Sequence, residues 1–225
     1  MRESERFAAI LARPDAEIRL DEAALCLAAS ARPGLDRGAC LAELDALAAS
    51  CPGPTLDHLV DHLFESGRLR GNRDAYDDPD NSLLDQVLAR GLGIPITLSL
   101  VAMEVGRRIG VPLSGVGMPG HFLLRDKVDP AVFVDPFHGG RLLDAAGCRR
   151  LHAAVAGPGA PWDDDYLAPV PRAAIVRRML ENLMRSYDRR HDLAQLGWVL
   201  DLRRHMPGAG AVEERDWIRF VAATN

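Results

Sequence analysis

Apolar residues in the first quarter of the chain recur in short helical runs separated by breakers. Phe7, Ile10 and Leu11 open one helix, residues 22–30 form an Ala-rich second, and residues 39–49 repeat apolar side chains at helical spacing. Pro14, Pro33-Gly34 and Pro52-Gly53-Pro54 punctuate these runs, and a further helix is predicted from Leu56 through Leu63 and Phe64. After a polar, turn-rich stretch at 71–81, Ser82-Leu83-Leu84-Asp85 reads as a capping box opening a helix to about Ala89. Residues 96–109 are apolar nearly all round, with charge only at Glu104, Arg107 and Arg108. That is the pattern of a helix buried at the centre of a domain.

Beyond it the period changes. Residues 113–118, 122–125 and 132–134 read as strands, and 144–155 as a helix. A Pro/Gly/Asp-rich segment follows at 157–171, with Asp163-Asp164-Asp165 expected to be a solvated loop. Ile175, Val176, Met179, Leu180, Leu183, Met184 and Tyr187 then mark one face of an amphipathic helix. Residues 193–202 predict a second helix and 217–221 a third. The expected fold is α+β: a small antiparallel sheet packed on a buried central helix. It divides into a helical N-terminal region (1–70), a core (71–156), a linker (157–171) and a helical-repeat tail (172–225).

Hydrophobic residues make up 48% of the 225, enough for a sizeable core, and aromatics only 5%, so that core rests on Leu, Val, Ile and Ala. A net charge of −5 argues against a general nucleic-acid or anionic-membrane binder. Met1-Arg2-Glu3-Ser4-Glu5 has no apolar signal-peptide core and no run has the length of a membrane span, which predicts a cytoplasmic protein. Cys26, Cys40, Cys51 and Cys148 show no Cys-x-x-Cys spacing and read as reduced, mostly buried thiols. Gly115-Val116-Gly117 and Pro207-Gly208-Ala209-Gly210 lack the strand-to-helix context of a phosphate loop, so no cofactor is expected.

Candidate chemistry gathers between residues 93 and 137. A hairpin turning across Asp126–Pro130 places Arg125 opposite Ala131, Leu123 opposite Phe133, and His121 opposite Asp135. Directly opposed residues share a face about 5 Å apart, so the carboxylate can orient the imidazole and stabilise its cation. Thr97 and Ser99 stand at the start of the central helix, where unpaired N–H groups and the helix dipole favour an oxyanion. The plain alternative is that these hydroxyls cap or back-bond to the helix and that His121–Asp135 is a structural pair.

These residues also carry a resemblance. Gly71-Asn72-Arg73, Tyr76-Asp77-Asp78-Pro79, Asn81-Ser82, Gly93-Ile94-Pro95-Ile96, Gly110-Val111-Pro112, Pro119-Gly120-His121-Phe122-Leu123 and Val134-Asp135-Pro136-Phe137 together resemble the SirB-type branch of the transglutaminase-like superfamily. The resemblance covers about residues 56–206. It implies a papain-like α+β core, a Cys-His-Asp triad in active members, and a tetratricopeptide-like helical tail. His121 and Asp135 match the His and Asp of that motif. The Cys would fall near residues 95–97, where this chain has Pro95-Ile96-Thr97. Two functions follow as expectations. One is a noncatalytic module that contacts an unknown protein or peptide partner; the other is an amide or ester acyl hydrolase or transferase using Thr97 or Ser99 with His121 and Asp135.

Three further signals are weaker. His58 and His62 stand at i and i+4 on a helix, as in some metal pairs, but no third ligand is apparent and no metal is expected. His138 reads as a turn residue between strands. Arg68, Arg70 and Arg73 form a small basic cluster suited to a solvated loop or an acidic partner.

Overall fold

The computed structural model describes residues 2–157 and 159–224. Three helices lead, α1 (Glu3–Leu11), α2 (Leu20–Ala31) and α3 (Arg37–Ala49), then α4 (Leu56–Val60), which widens into a π-helical turn at Asp61–Glu65. Strand β1 (Arg70–Gly71), a 3-10 turn (Pro79–Ser82), α5 (Leu84–Arg90) and β2 (Leu92–Gly93) lead into the central helix α6 (Pro95–Ile109). Four strands form one antiparallel sheet in chain order: β3 (Leu113–Val116), β4 (Leu123–Asp126), β5 (Phe133–Asp135) and β6 (Arg141–Leu143). Helices α7 (Ala145–Ala156), α8 (Arg172–Arg189), α9 (Leu193–Arg203) and α10 (Ala211–Thr224) complete the chain. The mixture of helices around a small antiparallel sheet agrees with the α+β expectation.

Helix α6 is where the sequence predicted it, for local reasons at both ends. Pro95 occupies the first helical position, where its missing N–H costs nothing. Gly110 closes the helix at φ +83°, and the Val111 N–H returns to the Gly106 carbonyl at 2.8 Å. Every residue from Pro95 to Gly106 is buried, with α2, α3, α5, β3 and β4 packed around them. Buried apolar side chains from Phe7 to Met206 form one continuous cluster. A smaller cluster, including Met118, Leu123, Phe133 and Cys148, lies between the sheet, α7 and the 3-10 turn Asp164–Leu167. Among the described residues no helix is long and apolar enough to cross a membrane.

Several expectations are corrected. The β4–β5 pairing is Leu124 with Val134 and Arg125 with Phe133, two residues out of the predicted register. Asp126 causes the shift: its carboxylate accepts from the Val128 and Asp129 N–H groups and centres the turn on Asp129. A slip of two preserves which face each side chain takes. Ser82 does not cap a helix; it ends a 3-10 turn, and α5 starts at Leu84 without a side-chain cap. The short parallel pair β1–β2 and the edge strand β6 were not foreseen. The linker is not a bare loop either, since the Val170 N–H bonds to Gly115 beside β3 and Asp163 caps the 3-10 turn.

The only charged residues foreseen on α6 meet a buried partner. Asp21 of α2, fully buried, takes two bonds from Arg19 (3.1 and 2.8 Å) and one from Arg108 (2.8 Å), while Glu104 pairs with Arg107 (2.9 Å) and Arg108 (3.1 Å). Burial pushes the Asp21 carboxyl up, but hydrogen bonds from Arg19 and Arg108 more than offset it and hold it at about 2. Glu104 is pushed up, first by burial and then by Asp21 beside it. Asp21→Asn therefore lowers stability at neutral pH by about 3 kcal/mol, because it strands buried guanidinium charge. A depressed carboxyl contributes stability above its unfolded value of about 4 and loses it as the pH falls toward the folded value. In urea unfolding the gap between wild type and Asp21→Asn should close below about pH 4.

Candidate active-site cleft

His121 reaches its position through a tight turn. Its N–H bonds to the Met118 carbonyl at 3.1 Å, with Pro119 second and Gly120 third at φ +74°, the arrangement of a type II turn. A side chain on Gly120 would also meet Val155 at 2.7 Å. From the far side Arg178 of α8 donates to the Met118 carbonyl (3.2 Å from both Nη atoms) and the His121 carbonyl (2.8 Å), and its guanidinium lies 5.5 Å over the Phe122 ring. The tail helix thus holds the backbone on which His121 stands.

Asp135 ends β5 and caps a 3-10 turn, Pro136–His138, which Gly139 and Gly140 close at φ +75° and +77°. Its side chain is fully buried and works at both oxygens. Oδ1 accepts from His121 Nε2 at 2.9 Å, and Oδ2 accepts from His138 Nδ1 at 2.6 Å. An ionised carboxylate only accepts, so Nε2 of His121 donates, and in the neutral ring that tautomer leaves the lone pair on Nδ1. Burial pushes the Asp135 carboxyl up, yet the bond and charge of His121, then of His138, hold it below the usual carboxylate range.

The two imidazoles stack at 5.5 Å between centroids, and Phe137 packs edge-on against both at 6.1 and 5.3 Å. Phe137 can sit there because Gly71 of β1 leaves room; a Cβ at that position would come within 2.6 Å of the Phe137 ring. The residues around Asn72 and Asn81 hold the opposite wall. Asn72 Nδ2 bonds to Asn81 Oδ1 at 2.9 Å, and the Asn81 carbonyl accepts from the Ile94 N–H just before α6.

A cleft of about 480 Å³ opens beside His121, the member of this group that lines it. Ile94, Pro95 and Ile96 line one side, Gly120 and His121 another, and α8 the third. Thr97 and Ser99 do not join it. Both are fully buried within α6, and neither Thr97 Oγ1 nor Ser99 Oγ has a hydrogen-bond partner, so they neither cap nor back-bond. The hydroxyls on the cleft lining are instead those of Tyr76, Ser82 and Ser186. Among the described residues no cysteine lines it. Cys26 and Cys148 are buried, and burial pushes each thiol up to about 11.

One nitrogen of His121, one of His138 and one Asp135 oxygen lie within 4.8 Å of one another, a set of atoms able to face a metal ion. One nitrogen of each imidazole is already committed to the carboxylate, and the two rings stack with planes 29° apart. A cation held by those two nitrogens would have to displace both hydrogen bonds. His62 is also committed, with Nε2 3.0 Å from the Leu47 carbonyl and 3.2 Å from Ser50 Oγ. His138, read from sequence as a turn residue, is a turn residue and a partner of Asp135 as well. Arg178, 57 residues from His121 in the chain, carried no sequence signal.

The sequence profile of the transglutaminase-like superfamily matches residues 20–181. The chain is 47% identical over 131 residues to a UPF0162 protein of Xylella fastidiosa (strain Temecula1), covering 56% of this chain and 46% of that one. It is 35% identical over 179 residues to a UPF0162 protein of Pseudomonas aeruginosa, 73% of this chain and 63% of that one. It is 37% identical over 106 residues to F-box only protein 21 of Mus musculus, 43% of this chain and 17% of that protein. The chain thus spans about half the length of the Xylella relative. No solved structure matches it.

Two outcomes test this geometry. Asp135→Asn should cost about 2 kcal/mol at neutral pH by weakening two charged hydrogen bonds. The depressed carboxyl gives its stability above the unfolded value of about 4, so the deficit should fade as the pH drops below that value in chemical unfolding. Thr97→Val replaces an unpaired hydroxyl with a methyl of similar shape and should raise stability by about 1 kcal/mol. A loss of that size in thermal or urea unfolding would mean that Thr97 has a partner.

Proposed function

The chain belongs to the transglutaminase-like superfamily, and from that membership we propose a noncatalytic, SirB-type member that acts in the cytoplasm through protein contacts. The cleft above His121 holds an extended segment of a partner protein or peptide. Helices α8 and α9, with α10 packed on α9, act as a tetratricopeptide-like tail that forms one wall of the cleft and adds contact surface.

The observation that carries this reading is Pro95. It lines the cleft together with His121, at the helix start where the superfamily resemblance calls for Cys. Proline offers neither a nucleophile nor an N–H. Among the described residues the His121 ring hydrogen-bonds only to Asp135 and to no hydroxyl, so the pair can accept and donate hydrogen bonds to a ligand but has no base-activated nucleophile for an acyl intermediate. The competing reading is an amide or ester acyl hydrolase or transferase in which Thr97 or Ser99 attacks, His121 takes the proton and Asp135 orients it. Full burial of both hydroxyls, off the cleft lining, counts against it.

An activated-ester assay and a peptide selection separate the two. Wild type and His121→Ala should hydrolyse a p-nitrophenyl ester at rates within about twofold of each other, with no covalent adduct by mass spectrometry. Peptides selected from a random display library should bind Asn182→Trp, which fills the cleft from α8, about 10-fold more weakly. Turnover abolished by His121→Ala, and by Thr97→Val or Ser99→Ala, would establish the enzyme instead.

A further inference from the structure

Helix α8 turns two different faces to the molecule. Ile175, Val176, Met179, Leu180, Leu183 and Tyr187 are buried in the core. Arg178, Asn182, Arg185 and Arg189, spaced by four, three and four residues, share another face and line the cleft. Their charges are unequally answered. Arg189 is paired with Asp77 at 2.6 Å. Arg178 is half-buried against the carbonyls of Met118 and His121, with no carboxylate among its hydrogen-bond partners. Among the described residues Arg185 donates only to the neutral Asn182 amide, and it is an exposed residue of the cleft lining.

Charge on the lining therefore runs against that of the chain. Its formal charges are three Arg (Arg178, Arg185, Arg189) against Asp77 and Glu181, a net of +1, whereas the whole chain carries −5. With the Arg189–Asp77 pair set aside, two guanidinium groups face one carboxylate, that of Glu181. Burial first, and then repulsion from the Arg185 charge, pull the Arg178 guanidinium below its usual range. A carboxylate brought between α8 and His121 would relieve that repulsion and accept the two-pronged hydrogen bonding that guanidinium offers.

We propose that the cleft recognises a carboxylate carried on an extended peptide, with Arg185 as the recognising group and Arg178 as the fixed positive charge behind it. The proposal rests on the peptide-binding reading of the cleft and names the chemistry of its ligand. The carboxylate comes from an Asp or Glu side chain or from a free C-terminus. Arg185 is not needed for the fold, because its side chain is exposed and makes no ion pair among the described residues.

The test uses an array of octapeptides of varied sequence, in amidated and free-acid forms, probed with the intact protein. Wild type should retain acidic peptides, and Glu→Gln or Asp→Asn replacement within them should weaken binding about 10-fold. Arg185→Gln should abolish that preference, with its melting curve unchanged. Raising the salt from about 50 to 300 mM should weaken acidic peptides selectively. If only free-acid peptides are retained, the carboxylate is the C-terminal one, and the proposal stands with that source. If neutral amidated peptides bind as well as acidic ones, and Asn182→Trp releases them, the carboxylate proposal fails while the peptide-binding cleft survives. If no peptide of either charge is retained, the cleft reading falls and the proposal with it.

Discussion

A carboxylate buried without solvent must be met by hydrogen bonds and opposite charge, or the fold cannot afford it. Asp135 meets that condition by gripping two imidazoles, one at each oxygen. Much of the neighbouring structure follows from this demand. The Pro136–His138 turn must bring His138 back beneath the strand end, which requires Gly139 and Gly140 at positive φ. Gly140 also lies so close to Val60 and Phe64 that a Cβ would meet them at 2.8 and 2.9 Å. Phe137, between the two imidazoles and Tyr76, then needs the bare backbone of Gly71. Residues that look unrelated in sequence are consequences of one buried charge.

The second half of the site depends on α6 and on the tail. Helix α6 is fixed by burial over most of its length, so its first turn is held rigidly against the cleft. Arg178 reaches from α8 to hold the loop that carries His121, and α8 in turn is capped at its first N–H groups by Asp15 near the other end of the chain. The helical tail is thus part of the cleft's wall. That coupling ties the superfamily core and the helical tail together at the loop that carries His121.

Long or strongly patterned elements were legible in the sequence. All-round apolarity identified α6, and a one-sided stripe identified α8. Strands β1, β2 and β6, two or three residues long, have no room to express a period, and they lack the apolar run of residues 131–134 that announced the equally short β5. The His121–Asp135 pairing survived a wrong register because a shift of two residues leaves side chains on the same face. His138 was hidden by its own turn, since the sequence shows a turn residue and not where its ring points. Thr97 and Ser99 were legible as hydroxyls at a helix start, but which way a helix faces the cleft is decided by tertiary packing. Ser82 and Arg178 reach the cleft only through that packing.

The most direct test of the central claim is the protonation of the His121 ring, read by imidazole nitrogen–proton NMR at a pH where the ring is neutral. The account predicts a proton on Nε2, shielded from exchange and coupled to Asp135, with Nδ1 bare. Asp135→Asn should remove the exchange protection. A proton on Nδ1 instead, or an Nε2 proton indifferent to Asp135→Asn, would contradict the view that this buried carboxylate organises the site.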